Sequence, residues 1–329
     1  MSPDTVQPDP FDLARAEALL CGYDVRYAEE TATRYVVLAV EAEFRAPLVN
    51  PETGAASRTW QRGGRIDVIL HDLQEVRDLT VEHKTTSEDI SPGSPYWRRL
   101  RMDGQVSGYF LGAEALGYKP EACLYDVLGK LALRPYQPGK KRTRPETPEE
   151  YRTRCVEAIA AKPDLYYRRG EVVRLEVEAE EALFDDWQTA QQMREGERLK
   201  RFPRNPDACM KWGRACDFFD VCCGEASIED PARFRRSEHV NPELTARGGL
   251  PILSASRLRS ARSCQRLHRF QYLDGIRPVV EADTLRFGSI IHAGLEAWWR
   301  APNGGRLEAA LSTLHVAHAA DTPMAEATP

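Results

Sequence analysis

Asp67, then Glu82-His83-Lys84 fifteen residues on, is the grouping in this chain whose residue types and spacing can do chemistry. Asp67 lies in the apolar run Arg65-Ile66-Asp67-Val68-Ile69-Leu70, which has strand character, and Asp78 to Lys84 forms a second such run after a polar turn. Side chains alternate faces along a strand, so Glu82 and Lys84 point one way and His83 the other. A hairpin of the two strands, Arg65 to Thr85, brings Asp67 beside that pair. Two adjacent carboxylates repel unless a cation sits between them, and oxygen ligands suit magnesium or manganese. The lysine supplies positive charge near a phosphate or orients an attacking water. A Glu-x-Lys triplet alone is common on solvated strand faces. Its reading as a metal-dependent hydrolytic site rests on what surrounds it.

The elements that must position these groups follow. Trp97 to Leu116 has helical periodicity, with Gln105 and Tyr109 one turn apart on a shared face. The ordered set Asp67, Glu82, Lys84, Gln105 and Tyr109 resembles the RecB-like branch of the PD-(D/E)xK nuclease superfamily. The resemblance implies a restriction-endonuclease-like α/β fold, a mixed central sheet flanked by helices, and a glutamine and tyrosine that contact the DNA strand. It also implies an active-site histidine on a helix upstream of the aspartate. Residues 1–66 contain no histidine; the matching Phe287-Gly288-Ser289-Ile290-Ile291-His292 lies near the far end, after Leu253-Ser254-Ala255-Ser256-Arg257-Leu258 and Ser263-Cys264-Gln265-Arg266. Asp67, Glu82, His292 and the main-chain carbonyl of His83 would hold Mg2+ or Mn2+, with Lys84, Gln105 and Tyr109 completing the catalytic set.

Eight cysteines are present, and Cys209-x6-Cys216-x5-Cys222 is a tight group followed at once by Cys223. Soft thiolates so clustered bind zinc or an iron–sulfur cluster, and spacing alone leaves both open. The iron–sulfur members of the resembled branch, AddB-like and CRISPR-adaptation-like, take one cysteine before the core and three after it. That implies a 4Fe-4S cluster on Cys264, Cys209, Cys216 and Cys222, with Cys223 the substitute for Cys222. The six residues between Cys209 and Cys216 depart from the family's two. Cys21, Cys123 and Cys155 are isolated and read as small core residues.

The parts stand in an unusual order: the segment expected first, from Leu253, comes last. The chain therefore reads as a circular permutant, with residues 1–180 a nuclease core, 181–224 a helix and cysteine cluster, 225–250 a linker, and 251–329 a helical segment completing the same domain. Closing such a loop costs little, because closure entropy grows only logarithmically with length. The ends, Met1 to Pro10 and Ala319 to Pro329, read as halves of a cut surface loop. A tandem array with a decayed first copy is the rival, opposed by the absence of a second Glu-x-Lys after His292. A monomer and a domain-swapped oligomer are both compatible with the order.

Hydrophobic content of 42% supports a real core, and no apolar stretch approaches the ~20 residues of a bilayer span. A cytoplasmic location with reduced thiols, no membrane association and no disulfide framework is the expectation. Net charge of −5 does not mark a nucleic-acid binder, so contact must come from local patches. Candidates are Trp97 to Arg101, Lys140 to Arg144, and the arginines 257, 259, 262, 266 and 269. Further expected elements are a helix Phe11 to Leu20, strands Arg34 to Phe44, Ala122 to Leu128 and Glu171 to Glu178, a helix Ala182 to Leu199, and a helical lobe closed by the cysteine metal centre. The expected activity is DNA hydrolysis by an exonuclease acting on single strands or duplex ends in phage or bacterial recombination or repair, with a helicase or annealing protein as partner. CRISPR-type spacer processing and a catalytically silent nucleic-acid-binding module are the alternatives.

Overall fold

The computed structural model of the chain describes residues 9–139, 143–211, 213–237, 239–241, 244, 249–280 and 283–320. Its helices are α1 (Pro10–Arg34), α2 (Pro95–Arg99), α3 (Gly104–Ala115), α4 (Pro148–Ala161), α5 (Glu176–Leu199), α6 (Phe219–Cys223), α7 (Ala255–Ser263), α8 (Gln265–His268), α9 (Asp283–Arg300) and α10 (Arg306–Ala320). The strands are β1 (Tyr35–Val49), β2 (Ala56–Asp72), β3 (Arg77–Thr86), β4 (Pro120–Gly129), β5 (Tyr167–Val172), β6 (Met210–Lys211), β7 (Arg214–Ala215), β8 (Phe234–Arg236), β9 (Ile252–Leu253) and β10 (Ile276–Pro278). The main sheet runs β1-β2-β3-β4-β5, with β9 pairing β2. The β3–β4 and β2–β9 pairs are parallel and the others antiparallel. This is the mixed α/β sheet that the sequence implies.

One sheet face packs α1, α4, α9 and α10 around Tyr23, Val81, Leu124, Ile291 and Trp298. The other packs α3 through Val106, Tyr109 and Ala113. The tail joins the first core intimately, since a Cβ at Gly294 of α9 would stand 2.4 Å from a methyl of Leu20 on α1. A third cluster sets α5 and α7 against Trp60 and Leu253, and a fourth, Phe218, Phe234, Phe270 and Ile276, forms a separate small lobe.

Three expected elements are corrected. Helix α1 runs to Arg34 rather than stopping at Leu20. Gly22, a residue that disfavours helix interiors, is kept by contact: a Cβ there would lie 2.3 Å from the Tyr167 hydroxyl, which donates to Leu19 O at 2.7 Å. The segment from Trp97 to Leu116 is broken into α2, a 3-10 turn and α3, because Asp103 accepts from Gln105 N–H at 2.9 Å and starts a new helix. The strand Glu171 to Glu178 ends at Val172. Glu178 reaches back to Leu175 N–H at 3.1 Å, and the acidic residues beyond favour a helix N-terminus. The basic run Lys140 to Arg142, both chain ends and most of the linker from 238 to 248 lie outside the described residues. No described helix is long and apolar enough to cross a membrane.

Candidate active site

The β2–β3 ladder runs from Asp72↔Arg77 to Val68↔Val81 and stops one pair short of Asp67 and Glu82. There the Asp67 side chain takes over as acceptor, receiving His83 N–H on Oδ2 at 2.8 Å. The hairpin opens at that point, while β3 continues to pair β4 through Glu82↔Tyr125 and Lys84↔Val127. An opened hairpin end supported from behind by a parallel neighbour frees the carboxylates from the ladder without losing the strand.

Alternation along β3 separates its side chains as expected. Glu82 meets α3: Gln105 Nε2 donates to Glu82 Oε1 at 2.9 Å and to the Tyr109 hydroxyl at 3.1 Å. The Lys84 ammonium pairs with Glu82 and donates to Gln105 Oε1 at 3.4 Å. His83 turns to the opposite core, where its ring meets Trp299 of α9. From the same helix His292 Nδ1 stands 3.8 Å from Asp67 Oδ2, and its ring hydrogen-bonds the His83 backbone. The histidine of the tail and the acid of the front half thus meet within one chain. Asp67, Lys84, Gln105, Tyr109 and His292 line one cleft of about 810 Å³, and Glu82 is buried immediately beneath it.

The electrostatics divide the two acids. Burial alone would raise the Asp67 pKa, but the hydrogen bond from His83 and the positive charge of Lys84 hold it well below the usual range. Glu82 goes the other way: burial, reinforced by the Asp67 charge and opposed by Lys84, pushes it up to about 7. Burial lowers the His292 pKa against the attraction of Asp67, leaving a neutral imidazole. Buried Glu82 Oε2 has no hydrogen-bond partner. An ionised carboxylate, a neutral imidazole and an unsatisfied buried carboxylate oxygen are a donor set that fits a hard divalent cation. Among the described residues, no three His, Cys, Asp or Glu side chains are already drawn together as a metal-holding group.

Two acids of the cleft were not singled out as site residues. Glu41, in β1 at the register position facing Asp67, adopts φ of 53°. It accepts from Arg65 Nε at 2.5 Å, and burial followed by the Asp67 charge raises it to about 7. A charged residue inside the apolar run Tyr35 to Phe44 was its only sequence signal. Glu296, one turn beyond His292, also lines the cleft.

The basic candidates are redistributed. Arg259 lines the cleft and its charge reaches Lys84. Arg257 is buried 4.5 Å over Trp60, Arg262 pairs with Asp186, Arg266 donates to Phe202 O, and Arg269 pairs with Asp274. Trp97 is no open stacking surface: its indole donates to Ile90 O and its ring packs on Gly170, while Arg99 and Arg101 pair with Glu88 and Glu178.

Cys209, Cys216, Cys222 and Cys264 line a single small cavity in the separate lobe, whereas Cys223 is exposed. Burial raises the Cys216 and Cys222 thiols, and each feels the charge of the neighbouring cysteines.

The PD-(D/E)XK nuclease superfamily model matches residues 2–223 and 252–328. Among curated proteins no sequence matches significantly. A solved structure titled "Crystal structure of SSO0001" is similar at 13% identity, over 69% of this chain and 89% of that one, with a TM-score of 0.29.

Proposed function

The chain belongs to the PD-(D/E)XK nuclease superfamily, and from that premise we propose that it is a divalent-metal-dependent deoxyribonuclease that digests DNA from single strands or duplex ends. The observation carrying this reading is the 3.8 Å approach of His292 to Asp67, above Glu82 and Lys84, in one cleft. Asp67, Glu82, His292 and the His83 carbonyl would hold Mg2+ or Mn2+. When bound, the ion supplies Lewis acidity and charge neutralisation at the scissile phosphate. The chain's own groups do the rest. Lys84 presents an ammonium to the nucleophile's side of the phosphate. Gln105, held by Glu82, and Tyr109 orient the strand across the cleft. The opened hairpin keeps the two acids fixed while DNA enters.

The cysteine cavity supports a 4Fe-4S cluster, or zinc, on Cys209, Cys216, Cys222 and Cys264, acting as a structural pin of the small lobe. The two-block family match and the seating of α9 against α1 support a circularly permuted order, with 225–250 as the join. The working context is recombination or repair alongside a helicase or annealing protein, in the cytoplasm.

Labelled single- and double-stranded DNA, incubated with Mn2+, Mg2+ or chelator, tests the proposal. Degradation should require the ion and fall by roughly 10²–10³-fold in Lys84→Ala and Glu82→Ala. Unchanged degradation in both variants would overturn the site. Iron, sulfide and zinc analysis with a visible spectrum decides the cysteine group; a protein free of all three would remove it.

A further inference from the structure

His83 sits between the proposed cation-holding Glu82 and the proposed lysine, yet its side chain belongs to neither. It is 3% exposed and touches two groups that decide where its proton lies. The indole of Trp299 approaches Nε2 through Nε1 at 2.8 Å. An indole nitrogen can only donate, so Nε2 must offer its lone pair. The single proton of the neutral ring is then on Nδ1, which lies 3.3 Å from Asp67 Oδ2. Asp126 competes for the other tautomer. Its Oδ2 is 3.8 Å from Nε2, and its buried Oδ1 has no hydrogen-bond partner. A ring free of the indole is free to take a proton on Nε2 and lean toward Asp126, loosening its hold on Asp67.

We propose that Trp299 is a positioning residue of the active site: its N–H fixes the His83 tautomer so that Nδ1–H holds the Asp67 carboxylate for catalysis. This rests on the reading of Asp67 as a cation-holding acid. Asp67 Oδ2 then collects the His83 backbone N–H at 2.8 Å and the His83 ring, with the His292 ring 3.8 Å away. Those contacts fix the carboxylate's rotation and use one oxygen, leaving Oδ1 for a ligand in the cleft. Removing a partner that orients a metal ligand from behind typically costs about 10–100-fold in metal affinity or activity. Trp299 and His292 are two turns apart on α9, so one helix of the tail aims the same aspartate twice, once directly and once through His83.

A purely structural Trp299 is the competing account, since the residue is 1% exposed and packs edge-on against Trp298 at 5.0 Å. The two accounts separate in the full-length protein. Nitrogen NMR of ¹⁵N-histidine-labelled wild type should show His83 protonated at Nδ1 and bare at Nε2, and Trp299→Phe should add a proton at Nε2. Trp299→Phe keeps an aromatic ring and removes the donor, so kcat should fall roughly tenfold with KM for DNA unchanged. His83→Asn has no tautomer, so adding Trp299→Phe to it should cost nothing beyond what His83→Asn costs alone. An Nε2–H tautomer in wild type, or an equal loss from Trp299→Phe in both backgrounds, overturns the proposal. Should Trp299→Phe fail to fold, the wild-type spectrum decides it. A wild type that leaves DNA intact sinks the nuclease reading instead, while the tautomer is still read by NMR.

Discussion

The cleft and the cysteine cavity are built the same way and held differently. Each is completed by the tail: His292 meets Asp67 in the first, and Cys264 joins Cys209, Cys216 and Cys222 in the second. In the cleft the acids are held by protein donors. Asp67 receives His83, and Glu82 receives Gln105 and Lys84. In the cavity the sulfurs have almost nothing of the kind, only weak contacts such as Cys209 to Asn205 O at 3.5 Å and Cys264 to Pro203 O at 4.0 Å. The difference follows from the ligands. A buried carboxylate must be hydrogen-bonded or neutralised, whereas a buried thiol is a tolerable small hydrophobe. The cleft's geometry is therefore set by the fold, and the cavity's is left to whatever binds there. The lobe around the cavity has little else, with a core of Phe218, Phe234, Phe270 and Ile276 and sheets of two short strands.

The strongest test of this contrast removes one thiol. If the cavity holds the proposed metal centre, Cys216→Ser in the protein as purified should lose roughly 4–5 kcal/mol, the scale of losing a structural metal, and lower Tm by on the order of 10 °C. Hydrogen exchange should localise the loosening to 203–224 and 264–278, with β2 and β3 still protected. Uniform loosening of both regions, or none, would erase the distinction between cleft and cavity.

A second test uses the charge that the fold holds without an ion. Glu82 binds its proton more tightly folded, at about 7, than at the ordinary glutamate value of 4.5. Between those values the folded state binds more protons than the unfolded one, so stability must fall as pH rises through the window. Glu41, also raised to about 7, adds to the same slope. Asp67 is shifted the other way, and its contribution is present above the usual aspartate value and lost only at lower pH. In chelator, Tm of the wild type should decline from pH 4.5 to 7.5 more steeply than that of Glu82→Gln. Added Mg2+ should flatten the wild-type curve. Parallel declines in chelator would mean that Glu82 is not the strained group.

Much of the site was legible because it is local. Strand alternation alone separates Glu82 and Lys84 from His83, and helix periodicity alone pairs Gln105 with Tyr109. The boundaries failed where a side chain overrode periodicity, as Asp103 did in restarting a helix and Tyr167 did in keeping Gly22 inside one. Glu41 was hidden because its place in the cleft depends on a left-handed backbone step that no propensity signals. The His83–Trp299 contact spans 216 residues and has no signature in either segment. The arginine stripe misled for a related reason, since regular spacing says nothing about which acid or carbonyl each guanidinium will find.

That stripe gives the smallest and most discriminating test. Arg259 faces the cleft, whereas Arg266 is engaged with Phe202 O beside the cysteine cavity. If DNA lies in the cleft, Arg259 neutralises a phosphate and Arg266 does not. Binding of single-stranded DNA, followed by fluorescence anisotropy with Ca2+ to permit binding without turnover, should weaken with salt. Arg259→Ala should reduce the slope of log Kd against log salt by about 0.7–1, the share of one phosphate contact. Arg266→Ala should leave the slope unchanged even where it loosens the lobe. Equal slopes for both variants would move the nucleic acid out of the cleft and reverse the roles assigned to the two regions.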